Sequence, residues 1–519
     1  MKERLMILGA GVMQEPAIRT AAGMGLETVV VDGNKDAPCS GEADIFEQID
    51  LKDKEKIAAF ALRLKAERGG LSGIMTAGTD FSATVAWAAE KAGLPGIPYE
   101  AALDASDKSR MRQRFKAAGV PSPEFIVIDG ENRIERLSKL PFSYPVVVKP
   151  VDNMGGRGCK RADGEAELRA ACIEALQFSR SGRAIVEEYM DGPEFSVDAI
   201  VSGANITVCG FADRHIYFPP YFIEMGHTMP ALLDAEAAEA LLETFRAGVR
   251  SLGITLGAAK GDIKLSSKGP MVGEIAARLS GGYMSGWTYP YSSGAEPVKA
   301  AIFAALGRLN GVEPQGLSRT RDWVSAERAF ISIPGVVSEI KITESAENNK
   351  YIKNIFFRVR EQERVDFPEN NVTKCGNVIS AAPERLLAVN AAEEAARGIL
   401  IRLAPHDAKT DAFLSVPVTE SKFPPDAFTV PQEARSALAA MPLGKRRRDG
   451  ATILPFPALL DSGIRDYAGR SVHESLDAVR SITGLPLRFD GAGTLGREFW
   501  SALIRGSYQG AAYMVDSLI

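Results

Sequence analysis

The chain has 519 residues, 45% of them hydrophobic and 24% charged, and carries a formal net charge of −5. That length exceeds what a single core serves and predicts about three or four domains, while the mild acidity excludes a general attraction to nucleic acid or to an anionic membrane surface. Cys39, Cys159, Cys172, Cys209 and Cys375 are scattered without a CxxC spacing, which argues against a disulfide framework or a zinc site and for a reducing compartment; an N-terminus that enters a strand at once, and no apolar run of membrane-spanning length, make the expectation a cytoplasmic α/β protein.

Residues 5–8 read as a strand, and Gly9-Ala10-Gly11 turn it towards a helix with Pro16 in its first turn, where a missing N–H costs nothing. Residues 28–31 form a second strand that ends in Asp32, so the opening is Rossmann-like. The glycine pattern is GAGVMQ and lacks the third glycine of GxGxxG, so a scaffold half-domain is favoured over a dinucleotide site. Residues 74–77 make another strand before Gly78-Thr79-Asp80, and residues 82–92 a helix. Asp107 is placed to cap a helix over residues 108–118 that Gly119 stops. Lys108 lies in its first turn, where the dipole disfavours a cation; taken alone it reads as a solvent-exposed lysine.

The stretch YPVVVKPVDNMGGRGCK follows, residues 144–160. Val146, Val147 and Val148 form a short β-branched strand that delivers Lys149 to the sheet's end. Gly155, Gly156 and Gly158 then let backbone N–H groups turn onto an anion. A fixed cation beside such donors suits a polyphosphate, although a glycine-rich turn has the same appearance. A helix over residues 165–179 precedes a strand running into Glu187-Glu188-Tyr189-Met190, and residues 194–201 return as an alternating strand. Residues 211–233 are aromatic and proline-rich, fit neither period, and read as a long functional loop carrying His215 and His227.

After a helix over residues 235–252, residues 258–265 and 270–275 are expected as an antiparallel hairpin. Alternation would then bring Asp262 and Glu274 side by side. Two carboxylates that close repel unless a cation lies between them, and oxygen ligands without thiols point to Mg²⁺ or Mn²⁺. A surface hairpin with scattered charges is the competing reading. Arg278 reaches towards the same region.

Taken in order, these pieces resemble the ATP-grasp superfamily of carboxylate–amine and carboxylate–thiol ligases. The likeness rests on the Rossmann-like opening, DKxxxRxxxxxxGVPxP around Lys108, YPVVVKP with its glycine loop, VEEYMDGPEFSV, and the D…GEIAARLSGG hairpin, in that order over residues 1 to 310. Residues 322–404 also resemble the C-terminal lobe of biotin-carboxylase-like and amino-acid-ligase members. The resemblance implies an α/β ATP-grasp fold: a Rossmann-like N-terminal domain over residues 1–105, ATP-grasp subdomains over 106–184 and 185–310, a biotin-carboxylase-like lobe over 311–405, and an α-rich appendage over 406–519. Carried over by position, Lys108 and Lys149 would hold ATP phosphates under the loop 152–158. Glu187 to Met190 would form the adenine hinge, with main-chain groups of Glu188 and Met190 on the base. Glu194 would bind the ribose, Asp262 and Glu274 Mg²⁺ (or Mn²⁺), and Arg278 the developing oxyanions. IEMGHTMPALL resembles the substrate loop of L-amino-acid ligases, which makes Glu224 and His227 candidates near an amino group or the acyl phosphate, His227 as an acceptor of the amine proton. Two departures stand out: Asp262 replaces the usual Glu, and Ala276 a common Asn.

The implied reaction is ATP-dependent joining of a carboxylate, activated as an acyl phosphate, to an amine, with amino-acid-like substrates. The competing readings are a purine-pathway or carboxylase-type enzyme acting on formate or bicarbonate, against which Tyr217, Phe218, Tyr221 and Phe222 argue by suggesting a larger apolar substrate, and a nucleotide-binding protein without catalysis. An NAD-dependent oxidoreductase would rest on Gly9-Ala10-Gly11 and Asp32 alone. The expected partners are small molecules, and a homodimer is common in the family. Beyond the prolines at 424, 425 and 431, Lys445-Arg446-Arg447-Arg448 reads as a solvated basic loop, and a helix is expected over 471–482.

Overall fold

The computed structural model describes residues 2–130, 137, 140–309, 316–418, 423–445, 452–490 and 493–518. The expected boundary at 310/311 and the basic residues Arg446 to Arg448 lie outside them. The chain divides into two compact units: residues 1–216, 226–327 and 381–388 form the first, and residues 217–225, 328–380 and 389–519 the second. Among the described residues, no helix is long and apolar enough to cross a membrane.

The first unit opens with a four-stranded parallel sheet. Arg4–Leu8 lies between Glu27–Asp32 and Gly73–Met75, with Ile45–Gln48 outside Glu27–Asp32. The apolar runs of the central strands are buried on both faces, as parallel strands covered by helices require. Asp32, the residue a dinucleotide site would use, instead accepts from the N–H groups of Ala10 and Asn34, each at 2.8 Å. Its role is to brace the turn.

A four-stranded sheet follows in the order Phe125–Asp129, Arg183–Glu188, Val146–Pro150, Lys160–Ala162. Helix Lys108–Ala118 enters it with the cap expected: the Asp107 carboxylate accepts from the N–H of Ser109 at 2.8 Å and of Arg110 at 3.1 Å, and Gly119 ends the helix at φ 69°. The remaining strands of this unit are antiparallel. Gly269–Ala276, Leu256–Ser266, Glu194–Ser202 and Asn205–Tyr217 lie side by side over helix Ala235–Ser251. Ile263, Val272 and Ile275 close a core against Phe245 and Val249 there.

The expectation of a long loop over residues 211–233 is corrected. Asn205–Tyr217 and Ile223–Met229 are both strands, neighbours in one sheet. Pro219 and Pro220 lie in the turn between them and break the alternation that would have marked the pair.

In the second unit, Gly335–Ile342 pairs antiparallel with Ile399–Leu403, and Ala395 shares a core with Val337 and Ile401. Its C-terminal part is mainly helical, with Gln432–Ala440, Val472–Thr483 and Arg497–Asp516. Ser471 and Glu474 form a capping box at the start of Val472–Thr483. An apolar core built from Phe428, Leu459, Val479, Phe499, Trp500 and Leu503 holds these helices together. Phe218 and Tyr221 belong to this unit and pack edge-on to Phe367 and tilted against Phe423.

Candidate active site

Strand Val146–Pro150 and helix Lys108–Ala118 aim two lysines at one place in the first unit. Lys149 Nζ lies 2.7 Å from Glu187 Oε2, and the guanidinium of the fully buried Arg112 meets the other oxygen at 2.8 Å. Burial works to raise Glu187, but Arg112 and Lys149 hold it below the ordinary glutamate range. Burial likewise works to lower Lys149, and Glu187 reverses that and keeps the ammonium charged. Arg112 also donates to the carbonyl of Gly273 at 2.6 Å, which ties the triad to the strand that bears Glu274. Lys108 is not the solvent-exposed lysine of the isolated reading. It is 6% exposed, donates to the Asn153 carbonyl at 2.8 Å and lies 3.6 Å from Glu274.

The loop after Lys149 begins at Asp152, whose carboxylate accepts from Ser179 Oγ and from the N–H groups of Arg180 and Ser181 at 2.7–3.0 Å. Gly155, Gly156 and Gly158 have φ of 71°, 76° and 67°, a region that costs other residues strain. At Gly158 a Cβ would also lie 2.9 Å from the Phe178 ring.

The two carboxylates meet, but through a shift of register: continued from Ser266 opposite Gly269, the pairing would set Asp262 against Gly273, and the bulge makes Glu274 its cross-strand partner instead. A bulge next to the pair places Gly273 opposite no residue of its own and re-aims Glu274. Burial works to raise Glu274, yet the Lys108 charge, aided by Lys260 and Lys149 and opposed by Asp262, holds it below its usual value. Asp262 accepts from Ser196 Oγ at 3.0 Å and pairs with Arg214 at 2.8 Å and with Lys260. Lys260 in turn lies opposite Ala276 in the strand register.

Arg278 is buried, donates to the carbonyls of Thr79 at 2.8 Å and Leu279 at 3.0 Å, and feels Glu274 and Asp198 as its strongest carboxylate neighbours. The Gly78-Thr79-Asp80 loop of the N-terminal sheet thus orients this arginine. Asp80 itself pairs with Arg180, next to the anchor of the glycine loop. Asp198 is fully buried behind Arg278, accepts from the N–H of Ser280 at 3.0 Å and from its hydroxyl, and is pushed up to about 6 by burial.

Residues 142–286 match the ATP-grasp domain model, and residues 329–404 match L-amino acid ligase C-terminal domain 2. The chain carries an ATP-grasp domain. Carnosine synthase 1 of Gallus gallus is 25% identical over 328 residues, 59% of this chain and 35% of that protein. Among solved structures, L-amino acid ligase from Bacillus licheniformis superposes with a TM-score of 0.68 at 22% identity, over 78% of this chain and 99% of the other. The biotin carboxylase domain dimer of Hydrogenobacter thermophilus 2-oxoglutarate carboxylase, in complex with MgADP, gives 0.60 at 21%, over 77% and 91%. At such identity these structural likenesses are of fold. The chain spans about a third to just over half the length of the curated relatives it matches.

Within the ATP-grasp domain, the segment expected as an adenine hinge divides by function. The Glu187 side chain serves Lys149. The N–H of Glu188 donates to the Glu124 carbonyl at 2.9 Å and its carboxylate pairs with Lys268, so that N–H is removed as a donor to a base. Met190 follows the strand's end, with its methyl in reach of Gly273. Glu194 pairs with Arg214 and lies 4.0 Å from Lys264. His227 is fully buried with Nδ1 2.9 Å from Glu327 Oε2. Glu224 belongs to the second unit, where its N–H donates to Asn371 Oδ1 at 2.8 Å and its carbonyl accepts from Lys374.

Arg112, Arg214, Lys260 and Asp198 received no role from the sequence. The DKxxxR spacing was a signal for Arg112, since it puts that side chain one helical turn beyond Lys108. Arg214 and Asp198 lie on the two strands of one hairpin, but the groups they meet, Asp262 and Ser280, are distant in the chain, and no local spacing marks them.

Proposed function

We propose that the chain is an ATP-dependent carboxylate–amine ligase that forms ADP and phosphate, with amino-acid-like substrates. The observation that carries this reading is the run of contacts Lys149–Glu187–Arg112–Gly273 beside Lys108–Glu274, which holds two ammonium groups and two carboxylates in one buried cluster under a glycine turn. In this reading Lys108 and Lys149 hold the phosphates and the N–H groups of residues 155–158 turn onto them. The Glu188 carbonyl and the Met190 N–H face the adenine edge, and Glu194 the ribose. The donor set fits a divalent cation. Asp262 and Glu274 offer hard oxygens only, and Lys260 and Arg214 already mark Asp262 as a place where positive charge is stabilised. Among the described residues no group of three or more His, Cys, Asp or Glu forms a cage of its own, which suits Mg²⁺ held by one or two carboxylates and completed by nucleotide phosphates. When bound there, the cation supplies neutralisation of phosphoryl charge.

A carboxylate oxygen of the first substrate attacks the γ-phosphorus of ATP and ADP leaves. The amine nitrogen of the second then attacks the acyl carbon, phosphate leaves, and the amine gives up a proton. The chain's own work is positioning and charge stabilisation: the two lysines on the transferring phosphoryl group, and Arg278 on the oxyanion that develops at the acyl carbon. His227, fixed by Glu327, is the candidate acceptor of the amine proton. ADP release measured over paired amino acids with ATP and Mg²⁺ tests the reading. Release that needs both members of a pair is expected, whereas ATP binding with no release over any pool of carboxylates and amines would overturn it.

One observation favours a second reading. The rings of Phe218 and Tyr221, which suggested a large apolar substrate, are spent on packing against Phe367 and Phe423. Activation of formate or bicarbonate by the same cluster is therefore the alternative, and formate- or bicarbonate-dependent ADP release would establish it.

A further inference from the structure

The second unit carries a partly open cavity of about 270 Å³ that the ligase reading does not use. Its walls come from strand residues Phe330 and Ile331, helix residue Ala396, the Asp466–Arg470 turn, and the middle of the last helix at Ser507 to Gln509. That helix is broken where it meets the cavity: Gly506 leaves helical geometry, and Ser507 has φ 51° and ψ −146°. A non-glycine residue in such a conformation is strained, and strain of this kind clusters at ligand sites.

Arg470 supplies the charge. Its residue is 7% exposed, and its guanidinium lies 4.8 Å over the Tyr508 ring. Of the five N–H donors a guanidinium carries, one is spent at hydrogen-bond distance among the described residues, on the Arg397 carbonyl at 2.6 Å. Asp466 forms an ion pair with Arg470 at 3.8 Å, which offsets its charge but lies beyond a hydrogen bond and leaves the donors unspent. Its oxygens are already taken by the N–H groups of Ala468 and Arg470 and by Ser507 Oγ. Arg328 also faces the cavity but is matched by Glu393 at 3.3 Å. A buried guanidinium with most of its donors unspent favours a charged acceptor. Arg397 and Gln509 add further polar groups, and Met225, Phe330, Tyr467 and Tyr508 supply the apolar and aromatic part of the lining. A cavity of about 150 Å³ takes benzene, so this one has room for a ring and a short acid arm.

We infer that this cavity binds a small monocarboxylic acid with an apolar or aromatic body, its carboxylate on Arg470 and its body between the tyrosines. The site lies outside the nucleotide cluster, and its walls join the region like L-amino acid ligase C-terminal domain 2 to the C-terminal segment. Calorimetric titration of the full chain with phenylacetate, 3-phenylpropionate, isovalerate, the uncharged 2-phenylethanol and inorganic phosphate tests it. At least one of the three acids should bind at one per chain, with 2-phenylethanol about tenfold weaker or worse. Arg470→Met should weaken that acid about tenfold or more, and Ala396→Phe, which adds a ring to the cavity wall and keeps the guanidinium, should abolish binding. Lys149→Met, in the nucleotide cluster, should leave it unchanged. Circular dichroism on each variant identifies any that fails to fold, and Ala396→Phe then decides for Arg470→Met and the reverse. The inference is overturned if none of the three acids binds, if phosphate alone binds, or if acid binding is undiminished in folded Arg470→Met or Ala396→Phe.

Discussion

The nucleotide cluster of the first unit and the C-terminal helices of the second are held by different physics. In the cluster, buried charges are matched across adjacent elements, as in Arg112–Glu187–Lys149 and Asp262–Arg214. In the helices, Phe499 and Trp500 sit at 0% exposure in an apolar core, with Phe456 and Phe489 against the indole. The first arrangement is expensive to assemble and intolerant of losing one member, because the remaining charge stays buried and unmatched. The second is tolerant in kind and sensitive in volume. Buried charge is not confined to the cluster, since the last helix carries the Arg505–Asp426 pair, but the cluster is where several such pairs converge.

The largest effect expected is on turnover. Lys149→Met should lower kcat/KM for ADP release by about 10²–10³, read from coupled ADP assays, while far-UV circular dichroism stays unchanged; an active variant would remove Lys149 from the phosphate site. Glu187→Leu leaves Arg112 and Lys149 facing each other without their counter-charge and should cost about 3–5 kcal/mol in urea unfolding. Phe499→Ala should cost a similar ~3–5 kcal/mol through its cavity, followed by the fluorescence of neighbouring Trp500. If Phe499→Ala proves mild and Glu187→Leu severe, the contrast between the two regions widens; the reverse would break it.

A smaller effect belongs to Asp198. Its folded-state value of about 6 lies above the ordinary 3.8, so the folded chain holds this proton more tightly than the unfolded one. Its contribution to stability is therefore complete below pH ~4 and falls by up to about 3 kcal/mol as pH rises through ~6. Asp198→Asn should flatten that fall in denaturant midpoints measured from pH 4 to 7, and an unchanged slope would refute the assignment. The smallest change is expected from Asp107→Ala, which removes the cap of the Lys108 helix for about 1 kcal/mol, readable as a small shift in urea midpoint.

Much of the cluster is legible in the sequence because its signals are local. Lys149 ends a β-branched run, Asp107 precedes its helix by one position, and the hairpin that carries Asp262 and Glu274 is marked by its turn, although their pairing needs a bulge that no spacing announces. What escapes a sequence reading depends on distance along the chain or on masked periodicity. Arg214 reaches Asp262 from another strand, Lys108 is buried by a loop that begins after residue 150, and the aromatic hairpin hides its alternation behind Pro219 and Pro220. The cavity beside Arg470 has no motif at all, since its walls come from segments that only tertiary packing assembles.

The second unit is stitched from three stretches, residues 217–225, 328–380 and 389–519. No single cut can release it, because a nick at any one junction leaves other covalent crossings intact. Nor can it be exchanged as a cassette: a graft that carries only the last stretch leaves behind the strand residues and the aromatic turn on which that stretch is built. Replacing this unit thus needs coordinated change at three separate places, and a hybrid made by one crossover would inherit a broken core.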